Sequence, residues 1–191
     1  EMCIRDRNNM PGGKVIITTD DSLFDIHFHE MQRLSSAGNI AYDMLYLVPH
    51  ALVNRDYSGN SFALKSKFEQ NGIFIWDGTA SINRGDYSIN TEEVRLLQYD
   101  SARGLEGWTV VCMDFDVFLG EKAAEYRDDS VDALMLESPM ERKKKHLYNW
   151  AMIPLTRAID TIVITISDPT SETARLLKEI SEDHPDFVSW L

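Results

Sequence analysis

Short apolar runs alternate with amphipathic stretches along most of this chain. After the turn signal Pro11-Gly12-Gly13, the β-branched run Lys14 to Thr18 predicts a strand. Asp20, Asp21 and Ser22 offer helix caps, and Phe24, Phe28, Met31 and Leu34 then recur at helical spacing until Gly38. Met44 to Val48 is wholly apolar and stops at Pro49, as suits a strand buried on both faces. A loop over Asn54 to Asn60 leads to a helix from Ser61 to Gln70, which Asn71-Gly72 stops. Ile73 to Trp76 is the next strand, and the polar stretch Asp77 to Thr91, which has no period, reads as a loop.

Val94 to Tyr99 and Thr109 to Phe115 are the next strands. Glu121 to Leu136 predicts an exposed helix, and Met140 to Arg157 a longer one interrupted at Pro154. Thr161 to Ile166 is a strand, and Ser171 to Ser181 a helix capped from Asp168-Pro169-Thr170. Strands separated by helices predict an α/β domain: a mainly parallel sheet with helices on both faces. A length of 191 residues fits one such domain, over residues 14–191, with a core that needs no disulfide or metal staple. Residues 1–13 stand apart as a non-native or disordered leader. The first seven, Glu1 to Arg7, share no pattern with the rest and read like translated sequencing adapter, so the natural protein is expected to begin further upstream.

Composition narrows the classes. The 43% apolar content is that of a globular chain, and no apolar run is long enough to span a membrane. Neither cysteine belongs to a disulfide framework. Cys112 lies in Val110-Val111-Cys112-Met113 as a buried reduced thiol, which with the absence of a signal peptide predicts a cytoplasmic protein. A net charge of −12 argues against a broad basic face for duplex DNA but leaves room for a narrow groove holding one strand. Local basicity is confined to Arg142-Lys143-Lys144-Lys145-His146, by default a solvated helix face.

Two segments carry candidate chemistry. The first, Asp100-Ser101-Ala102-Arg103-Gly104-Leu105-Glu106-Gly107-Trp108, follows a predicted strand, where open α/β sheets bind ligands. Gly104 lets the backbone approach a phosphate or sugar, and Ser101 with the loop N–H groups can donate to phosphate oxygens. The second, Pro154-Leu155-Thr156-Arg157-Ala158, precedes a strand. These segments resemble motifs V and VI of superfamily 1 helicases of the UvrD/Rep type. Ala102, Gly104, Leu105 and Glu106 match the first motif, with Gln98, Asp100 and Arg103 in place of its Thr, His and Lys. Ala151, Thr156, Arg157 and Ala158 match the second.

The resemblance implies a second RecA-like domain, three-layered, covering roughly Lys14 to Ser167. It implies that Arg157 is an arginine finger for ATP, that Glu106 reaches the ribose and that Gly104 lies at the nucleotide. It also implies that Ser101, Ala102 and Arg103 contact single-stranded DNA. ATP and Mg²⁺ would be bound mainly by an N-terminal RecA-like partner domain, because this chain contains no G-x-x-x-x-G-K-[ST] loop. Asp100, a carboxylate where the family has His, needs a cationic partner, for which Arg103 is the candidate. The family's motif IV arginine is missing after Val48, and His50 and Arg55 are the candidates to replace it. The family's large insertion before motif V is here reduced to about Asp77 to Glu93.

No metal site is expected. His27 and His29, two apart on a helix, do not share a face. The acidic pairs Asp128-Asp129 and Glu182-Asp183 read as solvated. Two other functions remain open: a stand-alone, non-catalytic module that binds nucleic acid or a helicase, and an α/β enzyme using the Gly104 loop for a small phosphorylated ligand, with Asp100 as its base.

Overall fold

The computed structural model describes residues 13–19, 22–56, 59–83, 85–128 and 138–191. The leader, the caps at Asp20 and Asp21, Asp129, and the predicted helix beyond residue 128 lie outside them. Among the described residues, no helix is long and apolar enough to cross a membrane.

Among the described residues, strands and α-helices follow in the order β1 (Lys14–Thr19), α1 (Leu23–Ser36), β2 (Met44–Val48), β3 (Val53–Asp56), β4 (Gly59–Phe62), α2 (Lys65–Gln70), β5 (Ile75–Asp77), β6 (Val94–Gln98), β7 (Gly107–Cys112), α3 (Phe115–Glu125), α4 (Pro139–Leu155), β8 (Ala158–Ile166), α5 (Glu172–Asp183) and β9 (Val188–Trp190). Seven strands form one sheet in the order β5-β6-β2-β7-β8-β1-β9, and every pairing in it is parallel. This is the parallel α/β architecture that the alternation of elements predicts, and it is consistent with the RecA-like domain that the resemblance implies.

Strand β2 shows why its sequence is apolar throughout. Met44, Tyr46 and Val48 face one core with Leu23, Ile26 and Leu34 of α1 and Phe68 of α2. Leu45 and Leu47 face a second core with Phe115 and Phe118 of α3, Ala174 of α5 and, at its margin, Trp150 of α4. Each face of the sheet is thus covered by helices, and the one hydroxyl in β2, that of Tyr46, is paired with His27 of α1.

Five expectations are corrected. Residues 53–56 and 59–62 pair as antiparallel strands, β3 with β4, and the helix begins only at Lys65. The strand at Ile73 starts two residues later, at Ile75, as β5. Strand β7 runs from Gly107 to Cys112, because Asp114 turns left-handed (φ 45°) and Phe115 opens α3 instead of ending the strand. Helix α4 continues through Pro154, which falls in its last turn, where the lost N–H removes one bond and the helix ends a residue later. The segment after α5 adds a seventh strand, β9, on the edge beside β1.

Candidate functional site

Residues 99–106 connect β6 to β7, parallel strands that lie on either side of β2. The chain must therefore return from the carboxyl edge of the sheet to its amino edge with only a 3₁₀ turn, Tyr99–Ser101, and no α-helix. Tyr99 and Ala102 are fully buried against the α3 side as it does so. The Tyr99 hydroxyl donates to the Met113 carbonyl at 2.8 Å, and the Ala102 N–H donates to the Tyr99 carbonyl at 3.1 Å. The crossover is consequently pinned at its middle, and the residues of the first motif divide between two edges.

At the carboxyl edge lies Ser101, exposed, in a recess of about 250 Å³ with Trp76, Gly78, Thr79 and Gln98. Buried Asp77 holds the neighbouring backbone, accepting from the Phe62 N–H at 2.8 Å and from the Thr79 N–H at 2.9 Å. Asp100 is neutralised beside it. Its Oδ2 accepts from the Lys122 ammonium at 3.0 Å and lies 3.2 Å from His50 Nε2, and His50 Nδ1 is 3.1 Å from the Arg55 guanidinium. Lys122, not Arg103, is thus the cationic partner of Asp100. Lys122 is itself buried, its ammonium 4.3 Å from the Trp150 ring centre and 3.0 Å from Glu125. Burial opposes its charge, but Glu125 and Asp100 outweigh that and raise its pKa. His50 and Arg55 are both committed to this edge.

At the amino edge lie Glu106 and Arg157. The Gly107 N–H donates to the Arg157 carbonyl at 3.0 Å, and Gly107 is in register with Ala158, so the two motifs end side by side on neighbouring strands. The expectation that the whole first motif sits beyond the carboxyl ends of the strands is therefore corrected for Glu106. Gly107 permits the junction: a Cβ there would lie 3.0 Å from Leu45 Cβ and 3.1 Å from the Asp43 carbonyl oxygen. From below, buried Arg95 donates to the Glu106 carbonyl at 2.6 Å and to the Tyr42 carbonyl at 2.7 Å. The Glu106 carboxylate is left exposed.

Arg157 is half-buried and folds back on its own helix. Its Nε donates to the Ile153 carbonyl at 3.0 Å and an Nη to Thr156 Oγ1 at 2.9 Å, where the helix terminus carries partial negative charge. Asp160, three residues on, pairs with Arg33. Between the crossover and α4 opens a cleft of about 490 Å³ lined by Arg103, Gly104, His146, Asn149, Trp150 and Arg157, with Ile153 at its base. Gly104 holds φ at +80° with open space where a side chain would point. Arg103 lies over the Trp150 ring, 5.3 Å from its centre.

The predicted residues are thus sorted. Arg103, Gly104 and Arg157 share one cleft, Glu106 stands at the strand junction, and Ser101 belongs to the opposite edge. Ala102 presents no side chain to solvent. His146, Asn149 and Arg95 were not singled out for the site; their signal is weak, since each is an ordinary helix or strand residue until the fold places it. Of the basic run, Arg142 pairs with Asp128 at 2.6 Å, and Lys143, Lys144 and Lys145 are exposed. His27 is a core residue sharing a 2.7 Å hydrogen bond with the Tyr46 hydroxyl, whereas His29 faces solvent.

No protein-family model and no curated protein matches this sequence. Among solved structures, it is similar to the C-terminal domain of a possible DNA helicase from Lactobacillus plantarum WCFS1. The TM-score is 0.51, with 96% of this chain and 88% of that chain covered, at 11% sequence identity. At so low an identity the likeness shows the fold, a RecA-like α/β domain, and nothing more.

Proposed function

We propose that this chain is the second motor domain of an ATP-dependent DNA helicase, lending Arg157 to an ATP site whose phosphate-binding loop lies on another domain. The observation that carries this reading is the Gly107–Arg157 backbone hydrogen bond, which joins the ends of two separately matched motifs at one strand boundary. Two chance matches would have no reason to converge there. The similar solved structure, described as part of a possible DNA helicase, supports the same class.

In this reading Arg157 leaves its two neutral acceptors for the γ-phosphate, where a charge-assisted, bidentate contact is stronger. Glu106 reaches the ribose and Gly104 lets the loop approach the nucleotide. Mg²⁺ is held mainly by the other domain. Ser101, at the far edge, contacts one DNA strand. ATP favours closure of the two domains because it binds the closed state better, and hydrolysis releases it.

The purified chain is expected to hydrolyse no ATP; a turnover lost in Arg157→Ala would overturn the shared-site account. DNA upstream of the reading frame is expected to encode, in frame, a G-x-x-x-x-G-K-[ST] domain. With that domain joined, Arg157→Ala should lower kcat by roughly 10³-fold or more. A second reading, a binding module without chemistry, is favoured by one observation: Arg157 already satisfies its own helix end. It predicts a start codon near Met10 with no such domain upstream.

A further inference from the structure

We infer that Arg103 and Arg157 form a two-guanidinium clamp for a polyphosphate chain, with Trp150 as the platform that positions Arg103. The inference rests on the nucleotide reading of this cleft but moves Arg103 out of the strand contact that its motif position implies.

Four observations converge. Arg103 comes from the crossover and Arg157 from the end of α4, so the cleft of about 490 Å³ has a guanidinium on each wall. Arg103 points along that wall because its guanidinium lies over the Trp150 ring, at 5.3 Å, while Lys122 approaches the same ring at 4.3 Å. His146 and Asn149 line the cleft too, adding an imidazole and an amide that can donate to phosphate oxygens. Gly104 lines the same cleft and leaves open space where a side chain would point.

Two planar cations, an imidazole and the Asn149 amide in one recess match a compact group of several negative charges. They match an extended nucleic-acid backbone poorly, since that needs a basic track and this chain carries a net charge of −12. The other cations near the crossover are already engaged: His50, Arg55 and Lys122 are bound into the Asp100 network. Arg157 closes the clamp by exchanging Thr156 Oγ1 for a phosphate oxygen.

The test uses the full chain, inorganic tripolyphosphate and a dT oligonucleotide, each titrated by calorimetry. Tripolyphosphate should bind, and Arg103→Gln and Arg157→Gln should each weaken it by about tenfold or more, as expected for loss of one charge-assisted contact. Trp150→Leu should weaken it to the same extent and Trp150→Phe should largely restore it, because Phe keeps an aromatic face for Arg103 whereas Leu keeps only bulk. Oligonucleotide binding should not change in any of these variants. If Arg157→Gln weakens tripolyphosphate and Arg103→Gln does not, the clamp is refuted while the arginine-finger reading stands. If Arg103→Gln weakens the oligonucleotide alone, Arg103 belongs to the strand. No binding of tripolyphosphate also refutes the clamp and leaves the finger to the ATPase measurement.

Discussion

Burial of His27 makes the fold acid-sensitive in a way that can be separated from every other titration. His27 is 5% exposed on the buried face of α1, and its Nδ1 shares the 2.7 Å bond with Tyr46, itself fully buried. Burial lowers the His27 pKa from 6.5 to about 4. The sign follows directly. The unfolded chain takes up a proton near pH 6.5 and the folded chain only near 4, so stability is intact above 6.5 and declines as pH falls through that window. At about 1.4 kcal/mol per pH unit, going from pH 7 to pH 4.5 should cost about 2.5 kcal/mol. Urea unfolding of wild type and of His27→Gln at both pH values gives the number. The carboxylates and remaining histidines titrate in both proteins and cancel in the difference. Gln cannot titrate, so wild type should lose about 2.5 kcal/mol relative to it on acidification, whatever the variant's fixed penalty. A difference that stays constant between the two pH values would refute the buried-neutral account of His27.

Other substitutions test the strand junction and the core. Gly107→Ala places a Cβ 3.0 Å from Leu45 Cβ and should destabilise by about 1–3 kcal/mol through overpacking, read by urea unfolding. Gly104→Ala has room but keeps φ +80°, so it should cost about 1 kcal/mol from backbone strain alone. Arg95→Met leaves the Tyr42 and Glu106 carbonyls unpaired and should cost about 2–4 kcal/mol; a loss below about 0.5 would show that those bonds are not needed. Burial pushes the Cys112 thiol up to about 12, against a smaller opposing effect from its hydrogen bond with Tyr99. Cys112 should therefore ignore a thiol reagent at pH 8 in the folded protein and react once the protein is unfolded.

Much of the fold was legible because its strands are buried on both faces. Met44 to Val48 and Thr161 to Ile166 need apolar or β-branched residues at every position, and that requirement is written in the chain. The β3–β4 pair was not legible. Val53-Asn54-Arg55-Asp56 and Gly59-Asn60-Ser61-Phe62 are mostly polar, and Gly59–Phe62 is held from outside, by Asp77 on the Phe62 N–H and Ser81 on the Asn60 N–H. Phe115 was misplaced because the apolar run from Val110 continues through it, while the break is a single left-handed residue, Asp114. Pro154 predicts an interruption on chemistry that is correct in mid-helix; in the last turn almost nothing remains to interrupt.

For the site, the sequence supplied identities but not edges. A crossover between parallel strands usually contains a helix, and from sequence residues 101–106 could be put only where the preceding strand ends. The structure spans the sheet with them instead, and a pinned centre separates two kinds of chemistry. Ser101 faces the carboxyl edge with a neutralised carboxylate beside it; Gly104 and Arg103 face the cleft; Glu106 meets Arg157 at the amino edge. Because Ala102 and Tyr99 are fully buried between them, the loop cannot slide as a flexible strap. A ligand that moves Ser101 must either leave Glu106 where it is or displace packed core atoms, at the several-kcal/mol scale of a core defect. Under the proposed function the two edges would take separate ligands, a division of labour that a motor domain requires and that a single-ligand enzyme built on the Gly104 loop does not.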